Sequence, residues 1–173
     1  MKNIHSLIVF LFLFISLESQ AQNDSITKND TLTWYTDLSK ASEISTATNK
    51  PIFAFFTGSD WCGWCKRLQK DVFAKAEFVE WANKNVILLE LDFPRNKTLS
   101  PELSQQNSSL QQAFQVRGYP TIWIFYTGKN PETMQLQIEA LGSLGYPQGF
   151  EQGKEEVKFL SDANLILANK KAE

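Results

Sequence analysis

Cys62 and Cys65 are the only two cysteines of the 173-residue chain, and they stand within the run Trp61-Cys62-Gly63-Trp64-Cys65-Lys66. An apolar stretch, Ile52 to Phe56, precedes them and helix-forming residues follow. The pair therefore falls just after a buried strand and at the opening of a helix, the context in which a two-residue cysteine spacing carries redox meaning. At a helix N-terminus, unpaired amide N–H groups and the helix dipole favour a negative sulfur, taking a thiol pKa from about 8.5 into a range of about 3.5 to 7.5. Cys65, one helical turn later, faces the same side and can close a disulfide with Cys62. The bland alternative is a permanent staple, which an exported protein can use. A bridge between residues so close in sequence constrains little chain, because disulfide stabilisation grows with loop length, so an active dithiol is the stronger reading.

The rare residues narrow the chemistry further. The single histidine is His5, and it lies in a segment expected to be removed. Without an imidazole, Ser-His-Asp and Cys-His hydrolysis lack the base they need near neutral pH. Zinc sites mixing cysteine with histidine fall away too, and two cysteines alone cannot complete a four-ligand thiolate cage; no metal and no dissociable cofactor is expected. The formal net charge of −2 argues against a nucleic-acid partner, which a basic stripe would announce.

The chain opens like an address label: Lys2 gives a positive start, Leu7 to Leu17 is almost unbroken apolar sequence, and Ser19, Gln20 and Ala21 supply small residues for a signal peptidase. A bilayer span needs about 20 apolar residues, about twice this run, so residues 1–22 are expected to be cleaved near Ala21 or Gln22, with no stable membrane insertion afterwards. Residues 23–30 form a polar leader. Residues 31–173, about 150 residues once the leader is counted, suffice for one domain and not comfortably for two.

The elements that must position the cysteines follow from pattern. Thr31 to Thr36 is expected as a short strand, and Asp37 caps a helix to about Thr48 that buries Leu38, Ala41 and Ile44. Ile52 to Phe56, bounded by Pro51 and Gly58, reads as a strand buried on both faces. A helix runs from the cysteines through Leu68, another covers Ala76 to Asn83, and Val86 to Leu91 is again strand-like, which gives a parallel βαβ unit. Ser100 and Pro101 start a helix reaching about Val116. Thr121 to Tyr126 reads as a strand, Thr127 to Asn130 as a tight turn, Met134 to Leu141 as a further strand, and Glu155 to Ala168 as a final helix with Val157, Leu160, Leu165 and Leu167 on its apolar side.

Taken together, the strand, the Trp-Cys-Gly-Trp-Cys-Lys run, the helix after it and the later Gly118-Tyr119-Pro120-Thr121 resemble the thioredoxin superfamily, over about Trp34 to Ala168. Within it, Phe56 to Leu68 (Phe-Thr-Gly-Ser-Asp-Trp-Cys-Gly-Trp-Cys-Lys-Arg-Leu) looks most like secreted bacterial thioredoxin-like proteins, and is similar to the C-terminal periplasmic domain of the transmembrane disulfide-reductase hub. The resemblance implies an α/β three-layer sandwich, a mixed central sheet with helices on both faces. It implies Cys62 as the exposed attacking thiolate, Cys65 as the resolving thiol and Pro120 as a cis-proline facing them. The backbone of Tyr119 would then pair with an extended substrate segment, and Trp61, Gly63, Trp64, Tyr119 and Pro120 make up the expected substrate surface.

Two departures bear on mechanism. Thioredoxin carries a buried acid in the strand before the cysteines, where this chain has only Ile52, Phe53, Ala54, Phe55 and Phe56. Glu90, inside an apolar strand, is the substitute proton acceptor, since a carboxylate among buried residues is costly without a partner or a job; the competing reading is a solvent-facing strand-end acid. Trp64 stands where thioredoxin has proline, so thioredoxin's potential does not transfer, and Trp61 and Trp64 can form an apolar rim for extended partners. Lys66 is the nearest cation to the pair, with Arg67 and Lys70 beyond, and Asp60 either caps the helix or opposes the thiolate. The expected function is reduction of protein disulfides in a periplasmic or secreted setting, with electrons from a membrane reductase. A disulfide oxidase or isomerase, and a client-binding module without turnover, are the alternatives.

Overall fold

The computed structural model describes residues 31–133 and 135–170. The order along the chain is β1 (Trp34–Tyr35), α1 (Leu38–Thr48), β2 (Ile52–Thr57), α2 (Gly63–Leu68), α3 (Ala76–Asn85), β3 (Ile87–Asp92), α4 (Pro101–Ala113), β4 (Thr121–Lys129), β5 (Leu136–Leu144) and α5 (Glu155–Leu167). The expected signal peptide and leader, residues 1–22 and 23–30, lie outside the described residues, as does Met134. No helix among the described residues is long and apolar enough to cross a membrane.

The five strands form one mixed sheet in the order β1-β3-β2-β4-β5. β1 and β2 both run parallel to β3, while β2–β4 and β4–β5 are antiparallel. β2 is central, and all six of its residues are buried, which explains its unbroken apolar sequence. Its side chains alternate between two cores. Phe53 and Phe55 join Leu88, Ile122 and Ile124 beneath Cys65, Leu68, Phe73, Phe78 and Phe159. Ile52, Ala54 and Phe56 join Leu89, Leu91 and Phe125 against Ala41, Leu110 and Phe114. Helices thus cover both faces, giving the expected three layers.

Local chemistry sets the helix ends. The Asp37 carboxylate accepts from the Lys40 amide at 2.9 Å, and Asn49 stops α1 in the left-handed region at φ 53°, a residue before Lys50 and Pro51. Ser100 accepts from the Leu103 amide at 3.3 Å. After α2 the helix does not simply end: Gln69–Phe73 is a π-helical turn, with Ala74 donating to the Gln69 carbonyl at 2.8 Å.

Some local expectations are corrected. The first strand is only Trp34–Tyr35. Thr127 and Gly128 are not a turn, because β4 continues to Lys129 opposite Leu136; ladder pairing overrides their turn-like composition. The turn comes later, where the Asn130 side chain accepts from the amides of Glu132 and Thr133 at 2.8 and 3.0 Å. On α5, Val157 and Leu165 are 55% and 68% exposed, and Phe159 and Ala163 carry the buried face instead.

Candidate functional site

β2 delivers the chain to a tight turn. The amides of Trp61 and Cys62 both donate to the Gly58 carbonyl, at 3.1 and 2.8 Å. Gly58 is required here, because a Cβ would run into the Trp61 indole. The turn leaves Cys62 as the N-cap of α2, with extended backbone (φ −80°, ψ 100°). Cys62 and Cys65 are disulfide-bonded, their Cα atoms 5.3 Å apart, and the Cys65 amide donates to Cys62 Sγ at 3.1 Å. That donor and the helix dipole favour a thiolate at Cys62 once the bond is reduced. Cys62, expected as an exposed thiol, is 5% exposed in the bonded form, and Cys65 1%.

A latch holds the turn. Asp92, at the end of β3, accepts from the Ser59 amide and hydroxyl at 2.8 and 2.7 Å and pairs with Lys97 at 2.9 Å. Burial would raise its pKa, but the hydrogen bonds from Lys97 and Ser59 outweigh this and hold the carboxyl below its usual range. Asp60 does not cap α2, whose N-cap is Cys62: its carboxylate receives the amides of Arg95 and Asn96, at 3.0 and 2.6 Å, and the Asn96 bond is the main cause of its lowered pKa. Trp61 adds a third tie, donating from Nε1 to the Phe93 carbonyl at 2.8 Å.

Of the residues expected to border a substrate, Tyr119 packs on Trp61 of this turn, and Gly63 and Trp64 follow Cys62 directly. The Tyr119–Pro120 bond is cis. The Tyr119 ring meets Trp61 edge-on at 5.7 Å and Phe93 at 5.3 Å, and its hydroxyl accepts from Gln111 at 2.7 Å. Gly63 is exposed, with nothing within 4 Å of where a Cβ would sit. Trp64 is 55% exposed. Lys66 reaches back to the Asp60 carbonyl at 3.3 Å.

Glu90 is no strand-end acid. It sits within β3 opposite Phe55, on the sheet face that carries Leu88 and the cysteine-side core, and is half-buried. Burial and the neighbouring Asp92 raise its pKa, against the opposing pull of Lys97. Residues that sequence reasoning passed over are Asp92, one position beyond the expected strand Val86 to Leu91, and Tyr146. The Tyr146 hydroxyl donates to Asp71 at 2.7 Å, and its ring meets Trp64 at 5.1 Å. Gly145-Tyr146-Pro147 carries a turn signal, but nothing local tells that this loop reaches Trp64. Among the described residues no cluster of histidine, cysteine or carboxylate side chains could hold a metal ion.

Comparison with known proteins fits this geometry. The profile of the thioredoxin-like domain family matches residues 38–135, more than half of the chain. Disulfide bond reductase DsbH of Chlamydia pneumoniae is 33% identical over 107 residues, covering 62% of this chain and 64% of the relative. Thioredoxin-related protein DsbJ of the same organism is 25% identical over 151 residues, covering 87% of this chain and 40% of the relative. The matches thus span less than two thirds of either relative. Among solved structures, a DsbH oxidoreductase superposes with a TM-score of 0.64 at 28% identity, covering 80% of this chain and 85% of the other. A thioredoxin from Thermus thermophilus, at a TM-score of 0.53 and 14% identity over 79% of this chain and 87% of the other, shares the fold.

Proposed function

We propose that this chain, which belongs to the thioredoxin-like domain family, is a thiol–disulfide oxidoreductase that reduces disulfides of protein substrates outside the cytoplasm. The observation that carries this reading is the placing of Cys62 at the N-cap of α2 with the Cys65 amide on its sulfur. The similarity to a relative named as a disulfide bond reductase favours the reducing direction over oxidation or isomerisation.

The reaction balances as two exchanges. The Cys62 thiolate attacks one sulfur of a substrate disulfide; a Cys62–substrate disulfide forms and the other substrate sulfur leaves as a thiolate that takes a proton. Cys65 then loses its proton and attacks Cys62 Sγ, releasing the second substrate thiolate and leaving the Cys62–Cys65 disulfide. The dithiol has given two electrons to the substrate, and an external thiol or dithiol donor must return them. A membrane reductase suits that role in an oxidising compartment, and the signal-like Leu7 to Leu17 run supports export. Glu90, on the cysteine-side face of the sheet, takes the Cys65 proton in this scheme, its raised pKa making it a stronger base than an ordinary carboxylate. Trp61, Gly63, Trp64, Tyr119 and Pro120 border the incoming segment, the Tyr119 backbone pairing with it as a short added strand.

Trapping tests the scheme. Cys65→Ser mixed with a disulfide-bonded protein should accumulate a covalent adduct at Cys62, seen by non-reducing gel and mass spectrometry. Adducts formed by Cys62→Ser and not by Cys65→Ser would reverse the assignment, and none with either would remove the catalytic reading. Glu90→Gln should slow turnover at least about tenfold while leaving the alkylation rate of Cys62 unchanged.

A further inference from the structure

Tyr146, which stands with Trp64 as an aromatic wall beside the dithiol, goes unused in that scheme. Because Leu144 pairs with Ile122, the chain leaving β5 passes the cis-proline, where a Cβ on Gly145 would lie 3.7 Å from the Pro120 carbonyl oxygen. The next residue, Tyr146, stands edge-on to Trp64 at 5.1 Å. Arg67 holds both rings: its guanidinium lies 5.2 Å from the Trp64 centroid and 5.3 Å from that of Tyr146. Asp71 fixes the set, accepting from Arg67 Nε at 3.1 Å and from the Tyr146 hydroxyl at 2.7 Å. Trp64 is thus an indole kept 55% exposed against a built support. Large aromatic surface left in water beside a reactive centre marks a contact site.

Charge specifies the occupant. An open depression beside the wall is lined by Lys66, Arg67, Lys70 and Lys75, with Asp71 and Glu155 the acids. Asp71 is taken by Arg67 and Tyr146, and Glu155 is buried. Lys70 and Lys75 are exposed and make no ion pair with any described residue. In a chain of net charge −2, this edge is locally positive.

We infer that the Trp64–Tyr146 wall and its lysine rim select the client: an extended polypeptide segment carrying an aromatic residue beside its disulfide cysteine and acidic residues next to that. The aromatic residue stacks on the exposed indole, and the carboxylates face Lys70 and Lys75. This rests on the oxidoreductase reading and names the substrate class for it.

The test uses two disulfide-linked peptides, identical except that one carries Trp-Cys-Glu-Glu and the other Trp-Cys-Lys-Lys, with kcat/KM measured under dithiothreitol recycling. The acidic peptide should be favoured about five- to tenfold at low salt. The preference should collapse at about 1 M salt, where the screening length is about 3 Å. A double variant, Lys70→Glu with Lys75→Glu, should abolish or invert it, and Trp64→Ala should weaken both peptides alike. A ratio between two peptides on one protein is insensitive to partial loss of fold. Equal kcat/KM for the two peptides, or a ratio unchanged in the double variant, overturns the inference. Binding of the same peptides with serine for cysteine, by fluorescence anisotropy, separates the two readings: a binding preference without turnover overturns the redox reading and leaves the surface, whereas turnover without preference does the reverse. A dimer in sedimentation that Trp64→Ala dissolves, with no peptide preference, would assign the wall to a second copy of the chain and overturn the inference.

Discussion

Trp61 and Trp64 flank Cys62 and each has an arginine over its ring, yet they live in opposite circumstances. Trp61 is part-buried: its N–H is bonded to the Phe93 carbonyl, its ring fills the space above Gly58, and Arg95 lies 4.0 Å over its face. Trp64 has more than half its surface in water, and its support, Tyr146 and Arg67, comes from beneath and beside it. The first tryptophan is scaffold, tying the cysteine turn to the loop after β3. The second is the one we propose as contact surface. Two indoles three positions apart do different work because one finds a carbonyl and a glycine to close on and the other does not.

Truncating each ring in turn separates the two roles. Trp61→Ala should cost about 2 to 4 kcal/mol of stability, through lost packing and an unpaired Phe93 carbonyl, while Trp64→Ala should cost under about 1 kcal/mol and raise KM for peptide substrates instead. Urea denaturation beside steady-state kinetics reads both, and equal stability losses would erase the distinction.

A middle-sized effect belongs to the latch on the Trp61 side. Asp92→Asn should cost about 1 to 3 kcal/mol near neutral pH, by weakening the ties to Lys97 and Ser59. The sign with pH follows from the lowered carboxyl: its contribution is present above the ordinary carboxylate pKa of about 3.9 and is lost as pH falls through the lower folded value. Denaturation curves of the two proteins should therefore converge below about pH 4; a constant gap would show that the charge is not what Asp92 contributes.

On the Trp64 side Tyr146→Phe should cost about 1 kcal/mol, since only the hydroxyl bond to Asp71 is lost. Burial and that bond push the Tyr146 phenol up to about 12. Its contribution to stability is full below the ordinary tyrosine pKa of about 10 and fades as pH rises toward about 12. An ultraviolet titration of the native wild-type protein should show one more late-ionising tyrosine, above about pH 10, than the same titration of native Tyr146→Phe.

The Trp61 side was far more legible in the sequence than the Trp64 side. Strand β2, the cysteine turn and α2 are contiguous, and apolar run, turn and cap signals declare them directly. The helix starts at Asp37 and Ser100 were equally plain, because a cap is a local hydrogen bond. Tyr146 lies 75 positions from Asp71, and Asp92 lies 33 from Ser59; such partners depend on strand order, which no local pattern carries. Glu90 was readable as an anomaly in an apolar strand, but its nearness to Asp92 and Lys97 was not. The extension of β4 through Thr127 and Gly128 and the exposure of Val157 and Leu165 were misjudged for a related reason: pairing with β5 and the choice of helix face are tertiary decisions.

The reduction potential of the Cys62–Cys65 pair decides which way electrons flow through it, and it is read by equilibrating the protein in glutathione or dithiothreitol buffers and counting free thiols. A reductase should give a value near or below about −230 mV, whereas a value between about −120 and −180 mV would make the chain a disulfide oxidant or isomerase, and a pair that never exchanges would contradict the account.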